Sequence, residues 1–147
     1  MSTSSSSSSN ITLMVVISNV EEYYRHWGLF LDDFENPQPG HNFLQVKGPL
    51  GGHWYESERF NNWYEVPEVK DLVYLCEVNV NLLDIIREVA QKIPIGNDIP
   101  IWNSQDYVVS LLDNLEARGI LDSTDERYAQ KKRIVCNMRQ GVNLKVW

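Results

Sequence analysis

The sequence predicts an α+β fold, an antiparallel sheet of about five strands with a central helix packed on it. Three observations carry this expectation. β-branched and aromatic runs broken by Asn, Pro and Gly clusters occupy the first half of the chain, and 3.6-residue apolar periodicity occupies the second. The 147 residues, 43% of them hydrophobic, suffice for one core. Strands first and helices afterwards imply layers, with helices gathered on one face of the sheet.

Residues 1–10 are almost all serine, a composition with no apolar face to bury, so a disordered tail is expected there and a single domain over 11–147. Strands are expected over 11–18, 25–32, 42–48, 53–58 and 71–80. Turn clusters such as Asn36-Pro37-Gln38-Pro39-Gly40 and Gly48-Pro49-Leu50-Gly51-Gly52 separate them, and the short loops suggest a meander. Asn81 is placed to cap a helix over 82–92, where Leu82, Ile85, Ile86 and Val89 share a face. The strongest helical pattern runs over 104–118, with Tyr107, Val108, Leu111, Leu112 and Leu115 on one stripe and Gly119 as the stop. Ser123-Thr124-Asp125-Glu126 reads as a capping box opening a helix to about Arg139, with Gly141 beyond.

A formal charge of -7 repels nucleic acid and anionic membranes, so no nucleic-acid partner is expected. Lys131-Lys132-Arg133 reads as a solvated helix face. The apolar run 11–17 is too short to span a bilayer and follows serines rather than a basic segment, so neither a membrane span nor a signal peptide is expected. Cys76 and Cys136, far apart and without CxxC spacing, read as reduced thiols of a cytoplasmic protein. His26, His41 and His53 lack ligand spacing with these cysteines, so no metal is expected, and no cofactor either. Among the tryptophans, Trp27 reads as core.

Three segments stand out together: Arg25-His26-Trp27-Gly28-Leu29-Phe30-Leu31, Asn42-Phe43-Leu44-Gln45-Val46-Lys47-Gly48 and Trp102-Asn103-Ser104-Gln105-Asp106-Tyr107-Val108. A nucleophile in the first turn of a helix meets the positive end of the macrodipole and unpaired backbone N–H groups. A histidine on one strand can take its proton, and a carboxamide on the next can hold the ring. Without chemistry, Ser104 is a helix N-cap, His26 a half-buried strand histidine and Gln45 the outward position of an alternating strand.

In this order the segments resemble the LRAT-like and NlpC-like branch of the papain superfamily, in its circularly permuted form. There a His-Trp-Gly/Ala strand and a polar orienting residue precede an Asn-Cys motif that opens a later helix. The last segment also resembles that of small fungal proteins carrying Asn-Cys-Gln-Asp. The resemblance implies a permuted papain-like architecture, with His26 as general base, Gln45 orienting its ring and Ser104 standing where the family has cysteine. Trp102 and Asn103 beside it are placed to border a substrate groove. The implied function is a hydrolase or acyltransferase framework acting on a small-molecule or peptide amide or ester, with activity reduced or lost through Ser104. The alternative is an inactive binding module using the same cleft for a peptide, an acyl group or a protein partner. Both require Ser104, His26 and Gln45 to converge.

Overall fold

The computed structural model describes residues 9–20 and 24–139. Strand β1 (Asn10–Ser18) is the axis of the sheet, because its sequence is apolar on both faces. Leu13, Val15 and Ile17 join the larger core under the helices, while Met14 and Val16 join a smaller cluster on the opposite face. Such a strand needs neighbours on both edges and cover on both sides. Strands β2 (His26–Asp32) and β5 (Val69–Asn79) flank it, and β3 (Phe43–Lys47) and β4 (Trp54–Glu58) extend the β2 side, giving the order β4-β3-β2-β1-β5, antiparallel throughout.

The five expected strands are therefore present, and the first four form the meander. The fifth departs from it: β5 crosses to the free edge of β1 instead of lying beside β4. Its alternating burial suits an edge strand with one covered face. The chain also enters the sheet earlier than its composition suggests. Asn10 already pairs with Asn79, and the Ser9 carbonyl accepts from the Val80 amide. The rest of the serine tail, residues 1–8, lies outside the described residues, as does Gly141.

Helices α1 (Leu83–Lys92), α2 (Ser104–Ala117) and α3 (Glu126–Asn137) follow. Their caps correct the sequence reading in two places. Asn79, not Asn81, opens the 3-10 turn before α1, by accepting from the Asn81 amide. Asp125, not Ser123, caps α3, while Asp122 accepts from both the amide and the hydroxyl of Thr124. The Tyr107, Val108, Leu111, Leu112 and Leu115 stripe is buried, and Tyr107 donates its hydroxyl to the Ala90 carbonyl, tying α2 to α1. Gly119, at φ +76°, provides the left-handed turn after α2. Among the described residues no helix is long and apolar enough to cross a membrane.

The face away from the helices is covered by the segment after β4. Asn42 holds it by imitating a strand partner: its side chain donates to the Phe60 carbonyl and accepts from the Phe60 amide, at 2.7 and 2.9 Å. The buried Asp33 carboxylate receives the Arg59 guanidinium in two bonds of 2.8 and 3.1 Å. Phe60 then meets Phe43 edge to face, and Phe43 meets Phe30 likewise, with ring centroids 5.7 and 6.4 Å apart.

Gly28 lies under this aromatic row. A Cβ there would sit 2.3 Å from the tip of the Phe43 ring, so the strand passes only because the residue is glycine. We expect Gly28→Ala to destabilise the domain by about 1–3 kcal/mol, the usual penalty of overpacking. Adding Phe43→Leu should recover part of the loss. Urea unfolding of the two single variants and the double variant would measure the coupling; strictly additive effects would show that the ring is not what the methyl group meets.

Candidate functional site

The site begins where the sheet splits. β2 and β3 pair at Phe30–Phe43 and Leu29–Leu44, and the Leu31 amide donates to the Asn42 carbonyl at 2.7 Å. Toward the other end β3 stays with β4 through Gln45–Glu56, Val46–Tyr55 and Lys47–Trp54, and its pairing with β2 stops. Alternate amides of a strand point to the same edge, so the Trp27 amide faces β3 as the Leu31 amide does. Its regular acceptor would be the Val46 carbonyl. The acceptor it has is the Ser104 hydroxyl, at 3.1 Å.

The first turn of α2 thus wedges into the split. Ser104 is 1% exposed and is the first residue of the helix. The cap is Asn103, whose side-chain oxygen accepts from the Gln105 amide at 2.9 Å while the Asp106 carboxylate accepts from the Asn103 amide at 3.0 Å. Capping by Asn103 leaves the Ser104 oxygen to the strand, so the capping role open to Ser104 in the sequence belongs to its neighbour. Gln105 adds a second clasp, donating from Nε2 to the Arg25 carbonyl at 2.9 Å. Ile101, just ahead, holds a φ of +57°, a strained conformation for a β-branched residue, and its carbonyl accepts from Asn103.

On the other side of the same split, His26 and Gln45 bridge β2 and β3 with their side chains. Strand alternation sends Trp27 toward the helices and His26 to the opposite face, where Gln45 lies between Phe43 and Lys47. The His26 Nε2 and Gln45 Oε1 are 2.7 Å apart, and Gln45 Nε2 donates to the Glu58 carboxylate at 2.9 Å. This chain fixes the protonation pattern. An ionised carboxylate only accepts, so the Gln45 NH2 faces Glu58, its oxygen faces His26, and the neutral ring carries its proton on Nε2. Nδ1 is then the basic nitrogen. Gln45 is 2% exposed and His26 6%, so Gln45 is not the outward position that strand alternation alone allowed.

Both residues floor a cleft of about 440 Å³, walled by Phe43, Phe60, Val66 and Pro67. Ser18, paired with His26 across β1 and β2, also borders it, and its buried hydroxyl has no hydrogen-bond partner among the described residues. At the rim Lys47 lies 3.3 Å from Glu56 and 3.4 Å from Glu58. Partial burial pulls the Lys47 ammonium down, but hydrogen bonding and charge from the two glutamates outweigh it and hold the group above its ordinary value.

Ser104, Trp102 and Asn103 are not among the residues lining this cleft. Trp102 packs edge to face on His53, with ring centroids 5.6 Å apart, and with Asn103 borders a separate cavity of about 170 Å³. His53 contacts the Trp102 carbonyl through Nε2, and His41 contacts Ser57 through Nδ1, so neither joins the His26 network. Among the described residues no group of three His, Cys, Asp or Glu side chains is arranged to hold a metal. Glu58 and Gln105 are the site residues that sequence reasoning missed. Gln105 sits inside a motif already singled out; Glu58 carries no local signal.

A helix N-terminus wedged between two strands, with a buried histidine–carboxamide pair that ends on a half-exposed carboxylate, defines the class of site this domain presents. The chain belongs to a family of unknown function, DUF6540, which it matches over residues 13–122, a span that takes in all of the sheet but the first residues of β1, together with α1 and α2. No curated protein and no solved structure was found to match it.

If the Ser104 hydroxyl is what completes β2, Ser104→Ala should cost about 1–3 kcal/mol, the desolvation penalty of a buried amide left without an acceptor. Asn103→Ala should cost about 1 kcal/mol through loss of the cap alone. Hydrogen exchange separates the two. Only Ser104→Ala should speed exchange at the Trp27 amide by more than the change in global stability accounts for; equal effects at Trp27 would refute the wedge.

Proposed function

We propose that this domain is a papain-like hydrolase or acyltransferase framework of the LRAT-like and NlpC-like kind, acting on an amide or ester, with Ser104 at the nucleophile position and activity reduced in consequence. The observation that carries it is the split between β2 and β3, entered by Ser104 from one side and bridged by His26 and Gln45 from the other. In this reading His26 Nδ1 takes the Ser104 proton as Oγ bonds to the substrate carbonyl carbon. The carbonyl π electrons move to oxygen, where N–H groups of the α2 N-terminus stabilise the charge. Collapse breaks the bond to the leaving amine or alcohol, which takes the proton from the imidazolium. Water, or an acceptor alcohol or amine, then releases the acyl group by the same steps in reverse.

Serine limits this scheme at its first step. A hydroxyl is far less acidic than a thiol, and the carboxamide of Gln45 orients the ring without bringing the charge that would stabilise an imidazolium. A second reading, an inactive binding module holding a peptide, an acyl group or a protein partner, is favoured by a specific observation: Ser104 is buried and the cleft is lined without it.

Ser104→Cys separates the two. A thiol here gains a helix N-terminus and the Trp27 amide, and in this reading also His26, whose imidazolium would stabilise the thiolate, so its pKa should fall from about 8.5 by one or more units. Cys76 is the internal control, since burial first, and then Asp125 and Glu77, push its thiol up to about 11. Raised in the fold, the Cys76 thiol stays protonated through neutral pH, and the stability gained by burying it is lost only as pH climbs toward that value. Iodoacetamide labelling and ultraviolet thiolate absorbance across a pH series should show the introduced thiol titrating lowest, and His26→Ala should reverse most of the effect. A thiol that titrates no lower than an ordinary cysteine, or ignores His26, transfers the proposal to the binding module.

A further inference from the structure

We infer that Glu58 is a positioning residue of this site, acting on His26 through Gln45; the inference rests on the reading of His26 as a base. A glutamine alone is an ambiguous orienter. Its amide can turn end for end and offer NH2 to the ring, which would demand the opposite tautomer and put the lone pair on Nε2. The Glu58 carboxylate removes the ambiguity. It accepts from Gln45 Nε2 at 2.9 Å, so Oε1 is held toward His26 at 2.7 Å and the ring proton is held on Nε2. The two bonds also bring a negative charge to within reach of the ring without direct contact. The orienting triad thereby becomes a tetrad with its anion one amide removed.

The burial of the parts fits this role. Gln45 is 2% exposed, so a turned amide could not be rescued by water, whereas Glu58 is 36% exposed by its side chain and open to solvent. Lys47, 3.4 Å from Glu58 and 3.3 Å from Glu56, balances part of the charge at the rim. On the elements beside His26, Ser18 of β1 is paired with it, Arg25 precedes it, and the first turn of α2, with Ser104, Gln105 and Asp106, bonds to the backbone of its two chain neighbours. Arg25 bonds to Asn19, and Asp106 takes part in the α2 cap and pairs with Arg139. The Glu58 carboxylate is joined to the ring by a continuous hydrogen-bonded path through Gln45.

The test reads the ring itself. Long-range 15N–1H correlation spectra of the full chain, with the three histidines assigned by single replacement of His41 and His53, report tautomer and titration midpoint together. Wild type should show neutral His26 protonated on Nε2. Glu58→Ala should populate the other tautomer and lower the midpoint, by about half a pH unit for a charge on the order of 7 Å away near the surface. Glu58→Gln can accept from Gln45 or, turned, donate to it, so it should lose the charge effect and hold the tautomer less firmly than the carboxylate does; it also serves if the alanine variant folds poorly. His41 and His53 should not move. Unchanged His26 tautomer and midpoint in both variants would overturn the inference. If instead the thiol of the Ser104→Cys variant fails to titrate low while the His26 effects stay intact, the catalytic reading fails and the Glu58 assignment stands.

Discussion

A backbone amide in a buried strand has to be satisfied, and at Trp27 the sheet does not satisfy it. The β3 strand has left β2 by that point, following β4, and the missing carbonyl is replaced by the hydroxyl of Ser104. Much follows from that substitution. It fixes where α2 begins and how deeply its first turn enters the sheet. The same rotation of the helix that points Ser104 at the strand turns its apolar stripe, Tyr107, Val108, Leu111, Leu112 and Leu115, to the core. Capping by Asn103 and the Gln105 clasp on Arg25 hold the same turn from either side.

The split also explains why polar side chains occupy an otherwise apolar sheet. Beyond Leu29 and Leu44 the paired strands give way to side chains, and His26 and Gln45 bridge the gap their backbones leave open. The buried carboxamide of Gln45 is bonded at both ends along the path to Glu58, which makes the arrangement specific, since a half-satisfied network costs more than an apolar core. Ser18 departs from that economy. Its hydroxyl is buried beside the cleft without a described partner.

Much of the fold was legible because it rests on local periodicity. β1 reads as a buried strand over 11–18, and α2 reads as a helix over 104–118 with one stripe, so both were placed to within two residues. What was illegible depends on partners distant in sequence. Nothing in residues 69–79 states that β5 will choose β1 over β4, because both edges accept an alternating strand. Helix caps were misassigned at Asn81 and Ser123 because several adjacent Asn, Asp and Ser residues are competent, and the geometry of the preceding chain chooses among them. In the site, the convergence of His26 and Gln45 came from the family resemblance. Glu58, thirteen residues further along, could be placed only once the β3–β4 register was known.

Under the proposed function, serine at position 104 faces two demands on one atom. As the wedge it must accept from the Trp27 amide, and a hydroxyl oxygen does this at 3.1 Å far better than a thiol, whose sulfur is larger and a weak acceptor. As a nucleophile it must give up a proton to a neutral imidazole, which a thiol does readily and a hydroxyl does not. The amide bond that completes the strand also draws on the lone pairs needed for attack, so it favours an anion at that atom but quiets a neutral hydroxyl. On that proposal a serine here strengthens the junction of helix and sheet and weakens the proposed chemistry. The reverse holds for cysteine, which would loosen the wedge and sharpen the nucleophile. Stability and reactivity at this position should move in opposite directions, which is the relation expected when a structural hydrogen bond and a reacting atom coincide.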